Sequence, residues 1–424
     1  MSLPESTERF AGLNPARSCT LPSGSRVVWL PMAEAPLVCI DLWCQAGSAF
    51  EGPSESGMAH FLEHMVFKGS EQLGAGDFDL RIEALGGSSN AATGFDDVHY
   101  HVLVPPDALA EAVALLLDLV LQPRLDPGDF DMERQVVLEE LAQSQDQPDE
   151  LALQTLLELG CGNHPYGRAI LGVETALNSH TPGAMRQFQQ GVYSGERCVL
   201  AVCGPLDQAC WQALLTQLAC SPLGQLPRRG AISEPPLLQI QPGVHRQTFA
   251  QLESARLLMA WSLPGAAQRD ALAAMDLATS LMAEGRRSRL VARLREQLQL
   301  VESIDLDLQV LEFGSLALLE AVCEAEDLPA VRQEITTVLQ EGPQHLPEGP
   351  ELARGLALVR NGYRFSLEAA AGIAAVIGNN GLWDRPLDLA EPLNSINRID
   401  QRALHASLLL LEPGRACVLE AVPA

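Results

Sequence analysis

Positive charge is what this sequence has least of. Lysine occurs once, at Lys68, and Lys and Arg together number 28 against 54 Asp and Glu, for a formal net charge of −26 and a pI near 4.6. The phosphates of a nucleic acid would be repelled by such a chain, and an anionic membrane surface is disfavoured for the same reason. Neutral or basic partners fit better, although acidity also serves solubility. Long hydrophobic runs are missing too. The most apolar helical stretch, Ala108 to Gln122, is interrupted by Glu111 and Asp118, so it is too short and too charged to cross a bilayer. The opening residues, MSLPESTERFAGLNPARSC, lack the basic segment and apolar core of a secretory signal. The ten cysteines include no C-x-x-C pair and no regular framework. Most, such as Cys39, Cys44, Cys198, Cys203 and Cys417, fall in apolar strand-like runs, a pattern of buried reduced thiols. The expected location is the cytoplasm.

What is present is the composition of a folded protein. With 424 residues, 47% hydrophobic and 19% charged, the chain exceeds one ordinary core and divides into at least two domains. Strand patterns occupy Ser25 to Pro31 and Leu37 to Gly47, and a helix follows with Ser54 or Ser56 as its N-cap. A helix from Asp77 to Leu85 stops at Gly86 and Gly87, His99 to Pro105 alternates like a strand, and Ala108 to Leu121 and Asp129 to Gln145 read as helices. Cys198 to Gly204 is a further buried strand. Five prolines between Ser221 and Gly243 mark an extended connector. The order then begins again: a strand from Ala255 to Gly265, a helix from Arg269 to Ala283, two strands around Gly314 and a helix from Asp327 to Gln340. The expected fold is α+β, in two similar domains, each a mostly antiparallel sheet covered by helices, joined by a proline-rich linker. Residues 1–222 form the first domain, 223–239 the linker and 240–424 the second. The first helix of the second half carries no histidine or paired carboxylate, so one metal site per chain is the most this pattern allows.

The chemistry concentrates in GMAHFLEHMVFKGS, residues 57 to 70. On a helix His60 and His64 stand at i and i+4 on one face, with Glu63 beside the space between the rings. Zinc takes three protein ligands and a water in catalytic sites, so a third ligand must come from elsewhere. Glu63 is then placed to take a proton from that water. Taken alone, the pattern fits a polar helix face equally well. Downstream, Glu133 and Glu140 are seven apart on a helix and share a face, whereas Glu139 is rotated toward solvent.

HFLEH followed by a glutamate in ERQVVLEEL resembles the pitrilysin family of zinc metallopeptidases, the inverzincins, and in particular their half-length members, similar to mitochondrial processing peptidase subunits and bacterial relatives. The likeness extends through AGSAFEGPSESGMAHFLEHMVFKGS. It implies zinc as cofactor, held by His60, His64 and Glu140, with Glu63 as general base and Glu133 supporting the site from behind. ALGGSSNAATGFDDVHYHV, Ala84 to Val102, resembles the family segment to which substrate adds as a strand, which implies that Asn90 and Ala91 bind the peptide backbone. His99 and His101 then read as strand packing or surface, because the ligand set is complete. His164, within NHPYGRAILG, resembles a family loop and has no chemical role.

In the second half, Met282 to Ile304 resembles the block where relatives carry an Arg and a Tyr that grip the substrate. Arg295 matches the arginine, but Glu302 stands at the tyrosine position. A carboxylate accepts hydrogen bonds and cannot replace a phenol that donates one to an oxyanion. The resemblance implies a zinc-dependent endopeptidase subunit that cleaves short unfolded peptides as a hetero- or homodimer with a similar half-length chain. The alternative is a non-catalytic peptide-binding or assembly subunit of the same fold.

Overall fold

The computed structural model describes residues 16–228 and 233–424. The amino-terminal 15 residues, where a secretory signal would lie, and residues 229–232 of the expected connector fall outside the described residues. No helix among those described is long and apolar enough to cross a membrane.

Two sheets organise the chain. The first has the order β1-β2-β6-β3-β5-β4, from β1 (Arg17–Thr20), β2 (Arg26–Pro31), β3 (Val38–Cys44), β4 (Ser88–Thr93), β5 (Val98–Val104) and β6 (Cys198–Gly204). Only β2 and β6 pair in parallel. The second has the order β7-β11-β8-β10-β9, from β7 (Gly243–Phe249), β8 (Ala255–Leu263), β9 (Ser303–Gln309), β10 (Ser315–Cys323) and β11 (Cys417–Pro423). Again only one pair, β7 with β11, is parallel. Replacing β2 through β6 by β7 through β11 turns one order into the other, so the two domains share a topology and β1 is an added edge.

Residue type explains which strands are central. Val38–Cys44 and Cys198–Gly204 are buried along their whole length and read as unbroken apolar runs apart from Asp41. β5 alternates buried Val98, Tyr100, Val102 and Val104 with half-exposed His99, His101 and Leu103. β4, Ser-Ser-Asn-Ala-Ala-Thr, bonds only to β5 and has nothing large to bury, so it forms the sheet's outer edge.

The compact units differ from a division at the connector. One contains the chain up to Leu138, Ile170–Ser233 and Phe365–Glu391; the other contains Glu139–Ala169, Glu234–Arg364 and Pro392–Ala424. Each sheet needs helices on its face, and each takes one from the opposite half of the sequence. The helix Ala370–Leu382 lies on β2, β3 and β6. A Cβ at its Gly378 would meet the Trp43 ring at 2.5 Å. A helix from Pro148 to Cys161 lies on β8 and β11, where a Cβ at Gly160 would meet Cys417 at 3.1 Å. From residue 234 the connector runs along the second unit: Leu238 is buried and its N–H donates to the Phe313 carbonyl at 2.6 Å.

Candidate metal centre

Two helices of the chain carry the centre: α1 (Met58–Val66) and, later in sequence, α2 (Pro127–Gln145). The apolar side of α1, Phe61, Leu62, Met65 and Val66, is buried. Phe61 packs on Phe130 of α2 with ring centroids 4.5 Å apart.

The start of α1 is fixed without the expected serine cap. Gly57 is the N-cap residue, at φ 80°, and no side chain of that residue caps the helix. Glu51 reaches in instead: its carboxylate accepts from the N–H of Gly57 at 3.1 Å and of Ala59 at 2.9 Å. An anion there satisfies orphan donors and suits the positive end of the helix, which an acid six residues upstream can do as well as Ser54 or Ser56. Gly172 packs against this turn so closely that its Cβ would lie 2.6 Å from the Gly57 Cα. His180 Nε2 donates to the Ser56 carbonyl at 3.0 Å, and Arg134 of α2 donates to the His180 carbonyl at 2.7 Å. His180 is thus a strut for the helix.

On this frame one ligand atom each from His60, His64 and Glu140 lie within 4.8 Å of one another. The His60 and His64 ring centroids are 4.7 Å apart. The boundary between Leu138 and Glu139 falls inside α2, which is unbroken from 127 to 145, so one helix carries both Glu133 and Glu140. Glu139 is exposed. Glu133 is 5% exposed and bridges two cations or their equivalents. Its Oε1 accepts from His64 Nδ1 at 2.9 Å and its Oε2 meets the Lys68 ammonium at 2.5 Å. That contact with Nδ1 leaves His64 Nε2 as the nitrogen for a metal. Glu63 accepts a short hydrogen bond from the Thr93 hydroxyl at the end of β4.

Protonation suits this arrangement. Burial, reinforced by His64, lowers the His60 pKa to about 4, so its ring is neutral at neutral pH and has a lone pair to offer. Burial alone would raise the Glu133 carboxyl, but the hydrogen bonds from His64 and Lys68 outweigh it and hold the group below its ordinary value. The stabilisation from this depressed carboxyl is fully present above its unfolded pKa and is lost as pH falls through the folded one. Lys68 and Thr93 were not identifiable as site residues from sequence. The one available signal was that the chain's only lysine sits four residues past His64. Glu133→Ala will weaken zinc affinity by about 10–100-fold, the usual effect of removing a ligand's supporting partner. Equilibrium dialysis against buffered zinc reads this directly.

The remaining residues are placed as follows. Asn90 is exposed on edge strand β4, where its side chain accepts from the Ala91 N–H at 2.9 Å; Ala91 is half-buried. Arg295 lies in the second unit, in the helical turn Val291–Gln297, and pairs with Glu296 at 2.9 Å. Glu302 is exposed, and its N–H donates to the Val322 carbonyl at 2.9 Å. His164 Nε2 donates to the Pro236 carbonyl at 2.8 Å, a structural bond. His99 stacks on Trp43 with centroids 4.2 Å apart and donates from Nδ1 to Asp41 at 3.1 Å. All ten cysteines are thiols, seven of them buried.

A two-domain α+β fold with histidines and carboxylates gathered on helices of this kind defines a class, and comparison with known proteins names it. The model described as Insulinase (Peptidase family M16) matches residues 26–174, and the model described as Peptidase M16 inactive domain matches residues 179–348. An uncharacterized zinc protease of Mycobacterium leprae is 32% identical over 324 residues, 76% of this chain and 72% of the relative. The chain belongs to peptidase family M16, whose cofactor is zinc. A probable mitochondrial-processing peptidase subunit beta of Arabidopsis thaliana is 32% identical over 188 residues, covering 44% of this chain and 35% of that protein. The crystal structure of a protease from Helicobacter pylori shares the fold with a TM-score of 0.87 at 21% identity, covering 97% of this chain and all of the other.

Proposed function

We propose that this chain is a zinc-dependent endopeptidase subunit acting on short unfolded peptides. The carrying observation is the convergence within 4.8 Å of Glu140 on α2 with His60 and His64 on α1, the helix that also holds Glu63. The donor set fits the ion, since two imidazoles and one carboxylate make a three-ligand catalytic set with a fourth position for water. When bound there, zinc supplies a Lewis acid that lowers the proton affinity of water and polarises a carbonyl.

The chain's own residues do the rest. Glu63 takes the proton from the attacking water and passes it to the departing amine, with the Thr93 hydroxyl holding its carboxylate in position. Glu133 keeps the His64 ring turned toward the ligand cluster. Asn90 and Ala91, on a strand that is the sheet's edge among the described residues, receive substrate as an added strand, and this recognises main chain with little regard for sequence. Arg295 grips the substrate carbonyl region. The thiol cysteines favour a cytoplasmic setting, and the Arabidopsis relative's designation as a subunit favours assembly with a similar half-length chain. Glu302 at the tyrosine position favours a second reading, a peptide-binding or assembly subunit without turnover of its own.

The separating experiment is peptide hydrolysis with and without chelator. Cleavage of extended peptides that stops on chelation and returns with zinc is expected. Cleavage indifferent to chelator removes the proposal. Absence of cleavage by a zinc-loaded chain under every pairing tried favours the second reading.

A further inference from the structure

Among the described residues a second group of metal-type ligands lies outside the cluster on α1 and α2. One ligand atom each from Asp41, His99 and His101 lie within 4.8 Å of one another. We infer that these three side chains form a second site for a divalent transition-metal ion, on the sheet itself.

The sheet's geometry builds the group. His99 and His101 are two apart on β5, so both rings project from the same face, and they lie nearly parallel with centroids 5.7 Å apart. Asp41 on β3 is directly opposite His101 in the β3–β5 register, which puts its carboxylate on that face too. Two imidazoles from one strand and a third donor from its neighbour make a preorganised three-ligand arc, needing no loop to move. His99 Nδ1 carries the proton of its bond to Asp41 in the metal-free chain, and binding an ion moves that proton to Nε2. The 3.1 Å between Nδ1 and Oδ1 is then close to the roughly 3.3 Å separating two ligands of a tetrahedral zinc whose bonds are about 2.0–2.1 Å.

Charge argues for a cation as well. Asp41 is 2% exposed, on a strand otherwise lined by apolar residues, and its only ion-pair partner among the described residues is His99. A buried carboxylate is costly unless a positive group compensates it. Asp97 and Glu63 add their negative charge around His99. His99 is 21% exposed and His101 is half-buried, so an ion can enter from solvent. His101 makes no side-chain hydrogen bond among the described residues, which leaves its ring to serve as a ligand.

The site is distinct from the first. Thr93, which binds Glu63, is in register with Val98 and shares its face, whereas His99 and His101 point to the opposite face. His101 is in register with Asn90 of the edge strand. An ion held there lies beside the strand proposed to receive substrate, so its occupancy is placed to tune peptide binding.

The test is cobalt(II) titration of the full chain carrying His64→Ala and Glu140→Ala, followed by visible absorption and by metal analysis after gel filtration. One equivalent per chain is expected to remain, and adding His101→Ala or, separately, Asp41→Asn should abolish it, with circular dichroism confirming the fold of each variant. The Asp41→Asn change keeps the side chain's volume and covers the case in which His101→Ala fails to fold. Absence of bound cobalt at concentrations up to about a millimolar would overturn the inference. So would a bound equivalent that survives either added substitution, because Asp41 and His99 would then be a hydrogen-bonded structural pair only.

Discussion

Glu63→Gln will hold zinc as the unaltered chain does and will hydrolyse peptides about 10²–10⁴-fold more slowly, the range that a positioned general base contributes. The substitution keeps the shape and the hydrogen bond from Thr93 but removes the only group proposed to accept a proton. Because Glu63 is absent from the ligand trio, metal content should not change. The two readouts must therefore separate. Unchanged turnover in Glu63→Gln would refute the role given to this residue, and lost zinc would make it a ligand instead of a base. His64→Ala, by contrast, should lose the zinc equivalent held with His60 and Glu140 and lose turnover with it.

The second large effect concerns a partner. The chain offers three ligand-type side chains within 4.8 Å, but Glu302 occupies the position that the family resemblance assigns to a tyrosine, and Arg295 is paired with Glu296 in its own turn. Loss of one oxyanion donor costs about 10²–10³ in rate. Adding a half-length companion that carries both Arg and Tyr should accordingly raise turnover of the purified chain by about 10²–10³-fold. Peptide hydrolysis at fixed zinc, with and without the companion, measures this. Equal rates would remove the heterodimer proposal and direct attention to another donor within the chain.

Local pattern carried much of this reading. The helical period alone puts His60, Glu63 and His64 on one side of α1, and the strand order of the second half reads in the sequence as a repeat of the first. Glu140 joined the trio only through family resemblance, because no local rule links residues on separate helices. The same limit hid Lys68, which acts through Glu133 on another helix, and Thr93, which reaches Glu63 from a strand. Glu51 was hidden for another reason: it lies six residues before Gly57, outside the N-cap positions, yet its carboxylate takes the start of α1 in place of Ser54 or Ser56. The exchange of helices between the halves was equally illegible. Ala370–Leu382 reads as an ordinary apolar helix, and only its glycines, fitted against Trp43 and Val28, disclose which sheet it covers. The H-x-H pair on β5 was plain in the sequence. Its third member was not, since Asp41 meets it through strand register alone.

The central claim is that Glu140 completes a zinc site begun by His60 and His64. The direct measurement is zinc bound per chain at equilibrium with buffered free zinc, for the unaltered protein and for Glu140→Ala at matched concentration. Loss of one equivalent per folded chain in the variant is the expected result. Retention of every equivalent at the same free zinc would contradict it.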